Sequence, residues 1–140
     1  MLQLKSKLLS KTGFQDNEYL DKYVCLIERN RRPNLYGKSM NKHHIVPRAW
    51  FKLMNLPVDD TLPNLVKLPY REHVLAHYYL CLCTTDKLQY ANQLALVLLV
   101  SRKNLDYSEK LLVKGLPLYN NIYEDYLKKK SSSYKLYTES

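Results

Sequence analysis

The four histidines of the chain have the residue type and spacing that metal chemistry requires. His43 and His44 are adjacent, and His73 and His77 stand four residues apart. Neighbouring residues of an extended strand point to opposite sides, whereas residues four apart on a helix share a face at about 5–6 Å. We therefore predict that one histidine of the adjacent pair binds a divalent ion together with the helical pair, and that its neighbour stays available as a base.

The predicted ligands are the neutral imidazoles of His43, His73 and His77. Three protein ligands leave coordination positions open, and an open position separates a catalytic metal site from a closed structural one. The chain has no Cys-x-x-Cys knuckle and no dense carboxylate cluster. This donor set favours Zn²⁺, Ni²⁺, Co²⁺ or Mn²⁺ over Ca²⁺, and it leaves Mg²⁺ open. We predict one divalent ion per chain.

His44 is the predicted general base, because an imidazole can take up a proton near neutral pH. A base that activates water beside an ion that neutralises phosphate charge is a device for hydrolysing phosphodiesters. This chemistry requires no covalent intermediate.

The charge of the chain predicts a polyanionic partner. Its 22 Lys and Arg residues exceed its 13 Asp and Glu residues, for a net charge of +9. Nucleic acid is the first expectation and an anionic membrane the second. Much of the excess lies around a basic turn that leads into the histidine pair. We predict that phosphates are held by Arg29, Arg31, Arg32, Lys38, Lys42 and Arg48.

The elements that position the histidines are predicted from periodicity and breakers. A helix over 16–29, capped by Asp16, follows an irregular lead-in over 1–15. A strand over 43–46 ends at Pro47, and a strand over 64–68 returns after a long connection over 48–63. Large apolar residues in that connection are expected to cover the core. Pro69 then begins a helix over 70–83 that carries His73 and His77 on one face.

The remaining residues are predicted to form helices over 86–101, 107–114 and 119–130, followed by a polar tail. The first of these is expected to bury Leu88, Ala91, Leu94, Ala95, Leu98 and Leu99. The 140 residues suit one domain, with the histidine core at about 42–83, a basic helix and loop at about 16–41, and helices at about 86–130. Its predicted class is α+β.

Cysteine content and hydrophobic runs indicate in which cellular compartment the protein is expected. Three cysteines, two of them one residue apart, do not form a disulfide framework. The lysine-broken start does not predict a signal peptide, and the longest apolar run is too short to predict a membrane span. We expect a cytoplasmic protein with no membrane partner.

Three segments in order resemble the HNH endonucleases. HHIVPR is similar to the first element of that family, NLVKL to the central one and REHVLAH to the last. The separations of nine residues from Asn64 to His73 and of four from His73 to His77 resemble those of the colicin nucleases and of small phage-associated members. The chain departs from many members in having no glycine over 48–63 and Leu-Pro-Tyr before the last element.

The resemblance implies a ββα-metal fold and a metal-dependent DNA endonuclease that leaves 5′-phosphate and 3′-hydroxyl ends. It implies that His44 is the base, that His43, His73 and His77 are ligands, and that Asn64 holds the intervening loop. It also favours a phage or mobile-element origin. The alternatives are a non-catalytic HNH-like module that binds nucleic acid and a basic helical adaptor with incidental histidines. RNA is not excluded as a substrate.

Overall fold

The computed structural model describes residues 2–31, 40–101 and 106–132. Most of these residues are helical, and the described part of the chain also contains a small antiparallel sheet of two strands. The predicted α+β class is confirmed at this level. Of the predicted phosphate contacts, Arg32 and Lys38 lie outside the described residues, as does the C-terminal tail.

The N-terminal segment differs from the prediction. It contains a helix, α1 (Leu2–Leu9), and is not an irregular lead-in, because Leu4 and Leu8 are buried in the main core. The second helix, α2 (Glu18–Asn30), is capped by Asn17 and not by Asp16. The Asn17 side chain accepts hydrogen bonds from the next turn of backbone at 3.0 and 3.1 Å, whereas Asp16 pairs with Lys5.

The two strands bring the first histidine pair to the centre of the fold. Strand β1 (Asn41–His44) pairs antiparallel with β2 (Leu65–Leu68), with His43 opposite Val66. The strand begins and ends two residues earlier than predicted, because Ile45 and Val46 continue as buried chain beyond the ladder. Asn64 is the last residue of a 3-10 turn (Leu62–Asn64) that comes just before β2.

The connection between the strands contains a short helix, α3 (Arg48–Leu53). The predicted apolar cover is only partly formed. Trp50 and Phe51 pack against the main core, but Met54 and Leu56 are exposed. They lie beyond the end of α3, around Asn55, whose positive φ of 60° turns the chain away from the core.

Helix α4 (Tyr70–Cys83) begins directly after Pro69, as predicted, and lies between α2 and α5. Because two neighbours cover it, buried residues occur on more than one of its faces. One apolar cluster lies on the side of α1 and α2, and a second on the side of the C-terminal helices.

The C-terminal helices are α5 (Asp86–Val100), α6 (Tyr107–Lys114) and α7 (Tyr119–Ser131). Their bounds agree closely with the prediction, but the predicted core face of α5 is partly wrong. Leu98 is 62% exposed, while Asn92 and Gln93 are buried. Polar partners explain this exchange, since Gln93 donates to Asp125 of α7 at 2.8 Å and Asn92 donates to the Leu88 carbonyl at 3.1 Å.

The three cysteines are unpaired, with Cys81 and Cys83 buried and Cys25 exposed. Among the described helices, none combines the length and apolar character that crossing a membrane requires.

Candidate metal centre and active site

Three histidines predicted as ligands converge in the structure. The ring centroids of His43, His73 and His77 are 5.3, 5.1 and 5.1 Å apart, an almost equilateral triangle. Each offers one nitrogen, and these three atoms lie within 4.8 Å of one another. A tetrahedral zinc ion with bonds of about 2.0–2.1 Å holds its ligand atoms about 3.4 Å apart, so the rings need to close only slightly to share one ion.

Secondary structure produces this convergence. The β1–β2 ladder fixes the side of the sheet to which His43 points. The helical repeat of α4 places His73 and His77 one turn apart on the face that meets β1. Two local periodicities therefore suffice to bring three residues from distant positions together.

A buried tyrosine fixes the tautomer of His43. The Tyr23 hydroxyl lies 2.7 Å from the Ile45 carbonyl oxygen and 2.8 Å from His43 Nε2. The hydroxyl has one proton, and the carbonyl can only accept, so Tyr23 donates to Ile45. His43 Nε2 must then donate its N–H to the tyrosine oxygen, and Nδ1 is the nitrogen with a lone pair to offer a metal.

His73 is oriented in the same way by Asn41. Its Nδ1 lies 3.0 Å from Asn41 Oδ1 at the start of β1. The amide oxygen is an acceptor, so Nδ1 carries a proton, and in the neutral ring Nε2 is the nitrogen with a lone pair. Metal-bound histidines almost always donate their second N–H to a carboxylate, a backbone carbonyl or water, and His43 and His73 have comparable acceptors in Tyr23 and Asn41.

His77 supplies an unsatisfied buried atom at the same place. Its Nδ1 is buried and has no hydrogen-bond partner among the described residues. Burial, and after it the neighbouring His73 ring, lower the pKa of His77 to about 3. Burial and the rings of His77 and His73 also hold the pKa of His43 well below its usual value. Both rings are thus neutral, as metal ligands must be, and the residues fit a bound divalent ion.

His44 lies in a different environment from its neighbour. Its Nε2 is 2.6 Å from Asp60 Oδ1, and its side chain is 13% exposed. His44 also lines a cavity of about 350 Å³ that His43, His73 and His77 line as well. The predicted base therefore borders the same space as the three candidate ligands.

Asn64 ties the two strands and the loop together. Its Oδ1 accepts from the Val46 N–H at 2.8 Å, and its Nδ2 donates to the carbonyls of Val46 at 3.2 Å and Asp59 at 3.0 Å. Its own carbonyl accepts from the Ile45 N–H at 2.9 Å. The side chain is almost fully buried, so it holds the chain after His44 against the loop that precedes β2.

The predicted phosphate contacts separate into two groups. Lys42 and Arg48 are exposed and line the cavity beside the histidines. Arg29 instead pairs with Glu72 at 2.6 Å, and Arg31 with Glu28 at 3.2 Å. The structure therefore brings two of the six predicted cations to the site, and two others are engaged in ion pairs.

Tyr23, Asn41 and Asp60 contact the site histidines but are missing from the predicted site. Asn41 stands two residues before His43, and Asp60 belongs to an Asp-Asp pair in the long connection between the strands. Tyr23 lies 20 residues from His43. Alternation along β1 is a signal that relates Asn41 to His43, but no local spacing relates Tyr23 or Asp60 to a histidine.

Comparison with known proteins gives no match: no family profile, no curated protein and no solved structure is significantly similar to this chain.

Proposed function

We propose that this chain is a metal-dependent endonuclease of the HNH type, which hydrolyses phosphodiester bonds in DNA. The observation that carries the proposal is the shared cavity, which three convergent imidazoles and a fourth, separately held histidine line together. A bound metal ion together with a base that acts on water can hydrolyse a phosphodiester. This chain offers residues for both parts in one place.

The local fold supports this proposal. An antiparallel strand pair is followed immediately by a helix, and the ligand candidates lie on the first strand and that helix. This order of elements supports the proposed ββα-metal core over about 42–83. Asn64 accounts for the central element, because it fastens the loop between the strands as the resemblance implies.

His43, His73 and His77 would hold the ion, with Zn²⁺, Ni²⁺, Mn²⁺ or Co²⁺ suited to imidazole ligands. A divalent ion bound there would supply positive charge to stabilise the phosphate as negative charge develops on it. The partners of the ligands, Tyr23 and Asn41, keep the imidazoles in the tautomers that face the centre.

His44 takes the proton from the attacking water. The water oxygen forms a bond to phosphorus, the bond from phosphorus to the 3′ oxygen breaks, and that oxygen takes a proton from solvent. The products carry a 5′-phosphate and a 3′-hydroxyl. Lys42 and Arg48 position the backbone through phosphate contacts, which carry no sequence information.

Supercoiled plasmid tests the proposal. Wild-type protein with divalent metal should convert it to nicked or linear forms, and chelation should stop the reaction. The His44→Ala variant should bind metal and DNA but cleave about 10²–10⁴-fold more slowly, as expected for loss of a general base. Plasmid that stays intact with metal-loaded wild type would favour a non-catalytic nucleic-acid-binding module, and a protein that binds no metal would favour a helical adaptor.

A further inference from the structure

The loop before β2 places one carboxylate directly on the proposed base. Asp60 Oδ1 lies 2.6 Å from His44 Nε2. Building on the proposed function, we infer that Asp60 is a positioning residue that holds the His44 imidazole in one orientation and one tautomer. Among the described acidic residues, Asp59 interacts with this ring through its charge, whereas Asp60 is hydrogen-bonded to it.

The chemistry of the contact selects the tautomer. An ionised carboxylate only accepts hydrogen bonds, so the proton shared with Asp60 belongs to His44 Nε2. In the neutral ring this leaves Nδ1 as the nitrogen that can take a proton from water. A ring with the opposite tautomer would present an N–H there and could not act as a base.

The loop that carries Asp60 is fixed by hydrogen bonds of its own. The neighbouring Asp59 carboxylate accepts from the Thr61 N–H at 2.9 Å and from the Thr61 hydroxyl at 2.5 Å. The Asp59 carbonyl accepts from Asn64, which also holds Val46. One buried side chain thus sets the distance between the end of the strand that carries His44 and the loop that carries Asp60.

Stability does not explain this contact. The Asp60 side chain is 72% exposed, and exposed ion pairs contribute little to folding. Asp60 also lies outside the group of described residues whose ligand atoms converge on the candidate metal position. What the contact does restrict is the rotation and protonation pattern of one imidazole. An aspartate has the same role toward histidine in Ser-His-Asp triads, where it sets the tautomer of the base.

The test compares Asp60→Ala with a control in the same loop. Thr61→Ala removes the hydroxyl contact to Asp59, but the Thr61 N–H and the Asn64 side chain still hold the loop, so Asp60 should stay in contact with His44. Protein labelled with ¹⁵N-histidine reports imidazole tautomers by NMR at about pH 8.5, where the free side chain is uncharged, and a His44→Gln spectrum assigns the signal. With four histidines in the chain, the spectrum is simple enough to interpret.

Wild type and Thr61→Ala should show His44 with its proton on Nε2, whereas Asp60→Ala should show a mixture of both tautomers. In plasmid cleavage, kcat should fall about 10–100-fold in Asp60→Ala with KM nearly unchanged, because the base is misoriented while binding is intact. Thr61→Ala should stay close to wild type.

An Asp60→Ala variant that keeps both the wild-type tautomer and the wild-type kcat would overturn the positioning role. Wild-type protein that leaves plasmid intact would instead overturn the proposed function. The NMR comparison would still decide whether Asp60 sets the His44 tautomer, so the two failures are distinguishable.

Discussion

The two faces of strand β1 place histidine in opposite environments. On the inner side His43 is buried, hydrogen-bonded to Tyr23 and flanked by His73 and His77. On the outer side His44 is partly exposed and bonded to a carboxylate that is mostly in solvent. One step along the chain changes the partner from a buried phenol to an exposed acid.

This difference shows how a strand can place adjacent histidines in two environments, which the proposed function assigns to a metal ligand and a base. Burial keeps His43 neutral, with a lone pair held toward the rings of His73 and His77. Contact with the cavity and with an exposed acid suits His44 for exchanging protons with water. The alternation of the strand is sufficient to create both environments from adjacent residues.

The largest expected effect is a loss of folding stability in acid, caused by the buried histidines on the inner side of β1. His43 and His77 have depressed pKa values in the fold, so the unfolded chain takes up protons first as the pH falls below about 6.5. Their contribution to stability is unaffected above that pH and is lost progressively toward pH 3. Each histidine should lower the free energy of unfolding by up to about 1.4 kcal/mol per pH unit. Urea denaturation of chelator-treated protein at several pH values measures this.

The matched variant for the acid prediction is His77→Met, which removes one of the two titrating rings at similar volume. Its stability should depend less on pH between about 6 and 5, whatever its absolute stability. An unchanged slope would contradict the neutral state of His77.

Asn64→Ala should damage both sides of the strand, because it releases the loop and leaves the buried Val46 N–H without its acceptor. We expect the free energy of unfolding to fall by about 2–3 kcal/mol. Asn121→Ala is the control, since Asn121 is an exposed residue of α7, and it should change stability by less than about 0.5 kcal/mol. Equal stabilities of the two variants would show that the Asn64 hydrogen bonds contribute nothing.

Tyr23→Phe should affect the inner side alone. It removes the acceptor for His43 Nε2, and loss of such an outer partner typically weakens metal binding about 10–100-fold. Competition with a chromophoric chelator measures the affinity. Tyr126→Phe, at a buried tyrosine of α7, should leave the metal affinity unchanged, and equal losses in both variants would argue against a specific role for Tyr23.

The smallest effect should come from the cations at the cavity. Lys42→Ala and Arg48→Ala should each reduce the slope of log K for DNA binding against log salt concentration by about the amount that one phosphate contact contributes. Lys128→Ala, at the exposed end of α7, should leave the slope unchanged. A flatter slope in Lys128→Ala alone would move the binding surface to the C-terminal helix.

The sequence predicted those parts of the molecule that depend on local periodicity. The helix carrying His73 and His77 and the three C-terminal helices follow the predicted bounds closely, because Pro69, Gly115 and the apolar spacing mark them. The convergence of His43 with that pair was likewise predictable from strand and helix repeats. Whether these residues bind metal and cleave DNA stays a prediction.

The parts that sequence missed depend on tertiary partners. Asp16 and Asn17 are both common cap residues, and the one that caps α2 is Asn17, whose amide also donates to the Leu82 carbonyl of α4 at 2.9 Å. Helix α1 is short and basic, so its burial against the core depends on packing that no local pattern encodes. Tyr23 and Asp60 reach the histidines across 20 and 16 residues, and only the fold brings them there.

Metal content most directly tests the contrast between the two sides of β1. Wild type, His43→Ala and His44→Ala are dialysed against Zn²⁺ and the bound metal is measured by atomic emission. Wild type and His44→Ala should retain about one ion per chain, and His43→Ala should lose most of its metal, because under the proposed function His43 is a ligand and His44 is not. Wild-type protein without metal, or equal losses in both variants, would contradict the account.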